Sequence, residues 1–122
     1  MDFNNKIVWI TGASSGIGEA LAYELAAKGA KLILAARRTE ELERVKAACT
    51  NTDNHCVVEL DLAESGDFEH LVANSIKQMG GLDVLINNAG LSLRAPVLDT
   101  PVDIHRVIME VNYFGTVALT QA

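Results

Sequence analysis

An open α/β sheet of parallel strands, with helices on both faces, follows from two features of the sequence. Short apolar runs alternate with helical patterns three times, and no hairpin signal intervenes. A glycine-rich turn joins the first strand directly to the first helix, in the stretch KIVWITGASSGIG from Lys6 to Gly18. About four strands are expected, in the order 3-2-1-4, within one unit over residues 1–122.

The first strand is the run Ile7, Val8, Trp9 and Ile10, apolar at every position as in a strand covered on both faces. Thr11 ends it, and Gly12, Gly16 and Gly18 follow with the spacing G-x-x-x-G-x-G. Gly12 is free to take a backbone angle closed to other residues. Gly16 and Gly18 lack the Cβ atoms that would hold back a diphosphate or the neighbouring strand. A helix from about Gly16 to Lys28 carries Ile17, Leu21 and Leu25 at four-residue intervals with Ala20 beside them, which predicts one inward stripe. Gly29 closes it. The second strand runs from Leu32 to Ala36 and ends at Arg37 and Arg38. Thr39 is the expected N-cap of the next helix, with Glu40 and Glu41 in the first turn and Leu42, Val45 and Cys49 facing inward.

After the polar break TNTDN comes a third strand, Cys56 to Leu60, and then Asp61. The third helix holds Phe68, Leu71, Val72, Ser75, Ile76 and Met79 at helical spacing, and Gly80 and Gly81 stop it. A fourth strand, Leu82 to Ile86, leads into Asn87, Asn88, Ala89 and Gly90. Thr100, Pro101 and Asp103 announce the last helix as N-cap, first helical residue and first-turn acid. Ile104, Val107, Ile108, Val111, Phe114, Val117, Ala118 and Leu119 then occupy much of its circumference, which predicts burial on more than one side. The pattern ends at Gln121 and Ala122 without cap, glycine or proline, so the unit reads as cut within the helix that starts near residue 101.

Composition excludes several classes. A net charge of −6 argues against non-specific nucleic-acid binding and against an anionic membrane surface. MDFNNK is neither a signal nor a transit peptide, and no apolar run approaches the ~20 residues of a membrane span. A cytoplasmic location is expected. Cys49 and Cys56 lack C-x-x-C spacing and read as reduced, buried thiols. His55, His70 and His105 lack metal-ligand spacing, so no metal is expected. Glu40, Glu41 and Glu43 form a solvated helix start, and neither Ser14 nor Ser15 lies in a G-x-S-x-G nucleophile turn.

The glycine turn points to an anion. The first N–H groups of a helix have no internal partner, and the macrodipole places about half a positive charge there. In dinucleotide folds that take NAD, an acid ending the second strand accepts hydrogen bonds from the adenosine ribose. Here that position is Ala36, followed by Arg37 and Arg38. An acid repels a 2′-phosphate, whereas a guanidinium forms charge-assisted hydrogen bonds to it. NADP is therefore expected over NAD, with Arg37 the better placed of the two arginines.

These motifs, T-G-x-x-x-G-x-G at Thr11, Gly12, Gly16 and Gly18 and N-N-A-G at Asn87 to Gly90, resemble those of the short-chain dehydrogenase/reductase family. The likeness covers essentially the whole chain and implies a Rossmann-type sheet. It implies that Thr11, Ser14, Ser15 and Ile17 accompany the glycines along the cofactor, with Ser14 and Ile17 at its phosphate and nicotinamide ends. Asp61 and Leu62 would hold the adenine, and Asn88, Ala89 and Gly90 would lie along the ribose. Asn112 matches the family's catalytic asparagine, an organiser of a water and proton relay. The family's chemistry also needs a serine, a tyrosine and a lysine four residues after that tyrosine, because an unassisted phenol near pH 10 is a poor acid–base group at neutrality. Tyr23 is followed four residues on by Ala27, and Tyr113 by Val117, so neither fits. The chain alone is expected to be inactive, and marginal in stability without a fifth strand beside the fourth. Three readings stay open. The chain is the cofactor-binding half of an oxidoreductase acting on a small-molecule alcohol or carbonyl, with homo-oligomers formed through the last helix. Otherwise it is a non-catalytic NADP(H)-binding module, or an interaction module pairing through that helix.

Overall fold

The computed structural model describes all 122 residues. Four parallel strands, β1 (Ile7–Thr11), β2 (Lys31–Ala36), β3 (Cys56–Glu59) and β4 (Val84–Ile86), form one sheet in the order β3-β2-β1-β4, as expected. The helices are α1 (Gly16–Ala27), α2 (Thr39–Ala48), α3 (Phe68–Met79), α4 (Val102–Met109) and α5 (Thr116–Gln121). A π-helical turn, Glu110–Gly115, joins the last two.

The central strand explains the rest. β1 has a neighbour on each edge and helices on each face, and all five of its residues are buried. Successive side chains point to opposite faces of a strand, so β1 and β2 feed two cores. Val8, Ile10, Leu32 and Leu34 pack with Ala22, Leu25 and Ala26 of α1 and Leu42, Val45 and Cys49 around α2. Ile7, Trp9, Ile33 and Ala35 pack with Phe68 and Val72 of α3 and Leu119 of α5. Each fully buried aliphatic residue contributes about 1.5–3 kcal/mol, which is why strands this short persist. Trp9 brings one cost into this core: its Nε1–H is buried without a hydrogen-bond partner. Both cysteines are free and buried, and burial pushes their thiols above the ordinary value.

Three local expectations need correction. Ile17 does not belong to the inward stripe of α1; it is 73% exposed, and Ala20 is exposed beside it. The buried face is Gly18, Ala22, Leu25 and Ala26, because α1 is turned so that its glycine rests on the end of β1. Thr39 is the first residue of α2 and not its cap. Thr100 does not cap α4 either, since its hydroxyl donates to the Pro96 carbonyl at 2.9 Å.

The last helix departs furthest. Only Gly115 and Leu119 are buried between Val102 and Gln121, while Val102, Ile104, Val107, Met109, Tyr113, Phe114 and Val117 are exposed. The extra residue of a π turn advances later side chains by about 100° relative to a regular helix. Apolar residues before and after residue 110 therefore occupy different faces, and most of them are open within these 122 residues.

His55, buried at 4% exposure, is a structural residue. The Leu32 N–H donates to its Nδ1 at 3.1 Å, so Nε2 carries the proton and donates to the Thr50 carbonyl at 2.7 Å. Burial, with the Lys46 charge adding to it, holds the ring pKa below the ordinary 6.5, against the opposing pull of the Thr50 carbonyl. The unfolded chain then binds more protons than the folded one near and below that value, so this contribution is complete above about pH 6.5 and lost as pH falls through it. Thermal melts should show a midpoint that drops on acidification through pH 6, and His55→Gln, which cannot titrate, should flatten that limb. An unchanged limb would assign the acid sensitivity to other groups.

Candidate dinucleotide cleft

A cleft of about 530 Å³ opens at the carboxyl ends of β1, β2 and β4, where ligands gather in open α/β sheets. Its lining includes Gly12, Ser14 and Ser15 from the glycine turn, Ala36, Arg37 and Arg38 at the end of β2, and Asp61 and Leu62 after β3. Asn88, Ala89 and Gly90 after β4 complete it.

The turn owes its shape to its glycines. Gly12 and Gly16 have φ of +67° and +57°, in the left-handed region. A Cβ on Gly12 would also lie 2.9 Å from the Ala89 Cα. Around Gly16 there is open space, so conformation alone requires glycine there. A Cβ on Gly18 would overlap the Gly12 carbonyl oxygen, and this contact seats the first turn of α1 directly behind the cleft.

Thr11 joins the two strand ends that frame the cleft. Its buried hydroxyl accepts the N–H groups of Asn88 and Ala89, both at 3.0 Å, and leans toward the Ile86 carbonyl at 3.4 Å. Asn88 returns the contact, its Nδ2 donating to the carbonyls of Thr11 and Gly12 at 3.2 and 3.3 Å. On the far side the Asn112 amide pairs with the Leu91 backbone. The Leu91 N–H donates to Oδ1 and Nδ2 donates to the Leu91 carbonyl, each at 2.7 Å. The segment from Asn88 to Leu91 is thus clamped at both ends. Gly115 seats the helix on the third wall, since a Cβ there would overlap the Leu62 carbonyl oxygen. Asp61 shapes its own loop by accepting the Ala63 N–H at 2.9 Å.

Several residues singled out in the sequence lie elsewhere. Thr11 and Gly18 are beneath the cleft, Gly16 and Ile17 are outside its lining on the exposed start of α1, and Asn112 is on the π turn against Leu91. Glu41, Leu91 and Val111 line the cleft without having been anticipated. Glu41 alone carried a signal, being three residues from Arg44 on a helix. Arg44 forms both ion pairs of the structure, to Glu19 at 3.0 Å and Glu41 at 2.9 Å, which leaves Arg37 and Arg38 exposed and without a carboxylate partner. Tyr23 donates to Glu19 at 2.7 Å, and that bond raises its pKa, the wrong direction for proton transfer at neutral pH. Tyr113 is exposed and packs edge-on against Phe114. No three of the His, Cys, Asp and Glu side chains come together as a metal site, and no helix is long and apolar enough to cross a membrane.

Residues 6–122 match the sequence profile of the short chain dehydrogenase family. The chain belongs to that family. It is 44% identical over 125 residues to human dehydrogenase/reductase SDR family member 7, covering 98% of this chain and 37% of the relative. To the Drosophila melanogaster dehydrogenase/reductase SDR family protein 7-like it is 48% identical over 122 residues, covering 96% and 37%. A short chain dehydrogenase from Bacillus anthracis superposes with a TM-score of 0.92 at 28% identity, over 99% of this chain and 49% of that one. One from Streptomyces avermitilis does so at 0.88 and 34%, over 99% and 44%. The chain therefore spans well under half the length of these curated relatives, and corresponds to the N-terminal portion of the short-chain dehydrogenase domain. Members of the family are oxidoreductases that bind nicotinamide nucleotides.

The Thr11 joint is testable. Thr11→Val keeps the shape and takes its partner from the Ala89 N–H, which costs about 1–3 kcal/mol when unpaired, while the Asn88 N–H keeps the Ile86 carbonyl at 3.1 Å. Urea denaturation should show a loss of about 1–3 kcal/mol, with faster hydrogen exchange at Ala89, while Thr11→Ser should stay within about 1 kcal/mol of the parent.

Proposed function

We propose that this chain captures NADP(H) for hydride transfer between the nucleotide and a small-molecule alcohol or carbonyl. One observation carries the choice of nucleotide: Arg37 and Arg38 stand exposed and unpaired at the rim of a glycine-turn cleft in which β2 ends on Ala36 instead of an acid. The cleft itself suits a dinucleotide. Its glycine turn takes two left-handed angles and opens toward solvent at Gly16, leaving room for a diphosphate against the first N–H groups of α1.

A bound nicotinamide carrier would supply or accept the hydride. The chain's own residues bind and orient. Gly12, Ser14 and Ser15 would hold the diphosphate, Arg37 and Arg38 the 2′-phosphate, Asp61 and Leu62 the adenine, and Asn88 to Gly90 the ribose. Asn112 holds the Leu91 backbone, and so acts here as a clamp on the cleft wall. Tyr23 and Tyr113 lack the lysine that would tune them, so proton transfer to the substrate belongs to residues outside these 122. The exposed apolar residues Ile104 and Val107, neighbours on one face of α4, support packing of α4 against further protein, including the helix of a second copy.

Titration of the chain with NADPH and NADH, followed by nucleotide fluorescence, tests the reading. Each charge-assisted bond to the phosphate is worth about 1.5–3 kcal/mol, so Arg37→Ala should weaken NADPH roughly tenfold to a hundredfold and leave NADH within about threefold. Equal affinity for NADPH in the parent, Arg37→Ala and Arg38→Ala chains would remove the NADP preference. Failure of the parent chain to take either nucleotide would remove the binding function.

A further inference from the structure

Arg44, on the exposed side of α2, makes more side-chain hydrogen bonds than any other residue, and they join α2 to the glycine turn and to α1. One terminal nitrogen donates to the Ser14 carbonyl at 3.2 Å and to Glu19 Oε1 at 3.0 Å; the other donates to Glu19 Oε2 at 3.1 Å; Nε donates to Glu41 Oε2 at 2.9 Å. Two of these partners, Ser14 and Glu41, line the cleft, and Glu41 shares it with Arg37 and Arg38. Glu19 is tied further by the Tyr23 hydroxyl at 2.7 Å.

Two separate consequences follow. The Ser14 carbonyl lies in the glycine turn, so its bond to Arg44 ties the turn to α2, thirty residues later. The second is electrostatic. Glu41 is an acid beside the two guanidiniums that would meet a 2′-phosphate, and a free carboxylate there would attract them and repel the phosphate. Arg44 engages that carboxylate and leaves both guanidiniums unpaired.

We propose that Arg44 is a positioning and specificity-determining residue of the cleft, holding the phosphate-facing turn through Ser14 and masking Glu41 so that a 2′-phosphorylated nucleotide is accepted. This deepens the NADP(H) reading and rests on it. Arg44 touches no nucleotide; it acts through the turn and through Glu41.

The test is a titration with NADPH and NADH of the parent chain and of Arg44→Gln, Glu41→Gln and the double variant, each checked for folding by circular dichroism. Arg44→Gln should weaken both nucleotides through the loosened turn, and NADPH about fivefold to tenfold more than NADH through the unmasked carboxylate. Glu41→Gln on that background should return the NADPH-to-NADH ratio to the parent value while the shared loss remains. Glu41→Gln alone should move the ratio less than about twofold. A purely structural Arg44 would weaken both nucleotides equally, and an unchanged ratio in Arg44→Gln overturns the specificity role. Retained affinity for NADH in Arg44→Gln overturns the positioning role. Should Arg44→Gln fail to fold, Arg44→Lys carries the test, since it keeps the charge without the fork. It should preserve the ratio and lose affinity for both nucleotides; a changed ratio or unchanged affinities would contradict the proposal. If Arg37→Ala abolishes the preference while Arg44→Gln leaves it intact, only the role of Arg44 fails. If the parent chain binds neither nucleotide, the NADP(H) reading fails with it.

Discussion

The buried hydroxyl of Thr11 connects the ends of β1 and β4, and the wall of the cleft between those strands depends on that connection. A strand end releases backbone N–H and C=O groups that no ladder satisfies, and leaving them buried and unpaired is costly. Thr11 resolves this for Ala89 and shares the Asn88 N–H with the Ile86 carbonyl, and Asn88 reciprocates on the carbonyls of Thr11 and Gly12. The Gly12 carbonyl is also the atom against which Gly18 rests. The turn, the start of α1 and the segment after β4 therefore form one mechanical unit. A cleft bounded by such a unit presents its backbone groups at fixed positions, which is the condition for binding an anion without first ordering a loop.

Charge is organised on a second scale. The chain carries −6 overall, a field that by itself disfavours phosphate ligands. The cleft departs from that average because its two arginines are free, while of its two acids Glu41 is paired with Arg44 and Asp61 accepts the Ala63 N–H of its own loop. Both ion pairs lie on Arg44, one consuming the Glu41 carboxylate. Being exposed, these pairs add little to stability, so their placement matters more for the potential at the cleft rim than for the fold. Arg44 also holds the Glu19 carboxyl below its usual range, and the Tyr23 hydroxyl reinforces the effect.

The sheet was legible in the sequence because each strand is a local signal. Ile7 to Ile10 and Leu32 to Ala36 are apolar at every position and short, and each is bounded by a glycine turn, which marks a strand covered on both faces. The glycine turn was legible for the same reason, its positions being required by backbone angles and close approach within seven residues. Ile17 was misread because the face of α1 that meets the sheet is chosen by where a helix can approach most closely. That contact is Gly18 on the Gly12 carbonyl, and steric room outranks a single exposed isoleucine. Arg44 was invisible since its partners, Glu19 and the Ser14 carbonyl, lie 25 and 30 residues away and meet it only after α1 and α2 pack side by side.

The last helix shows why a periodic pattern is an incomplete guide to a face. Asn112 must meet the Leu91 backbone, while Gly115, three residues later, must meet the Leu62 carbonyl on another wall of the cleft. On a regular α-helix these residues lie about 60° from the same line, a spacing set by 3.6 residues per turn. The π turn from Glu110 to Gly115 widens the helix between them and lets both contacts form at once. The same widening shifts the phase of Val117 and Leu119 relative to Ile104 and Val107, so Leu119 enters the core while the earlier apolar residues face outward. Apolar residues on several sides of the wheel thus record a change of register, and they stand exposed in a chain that is the N-terminal portion of a longer domain.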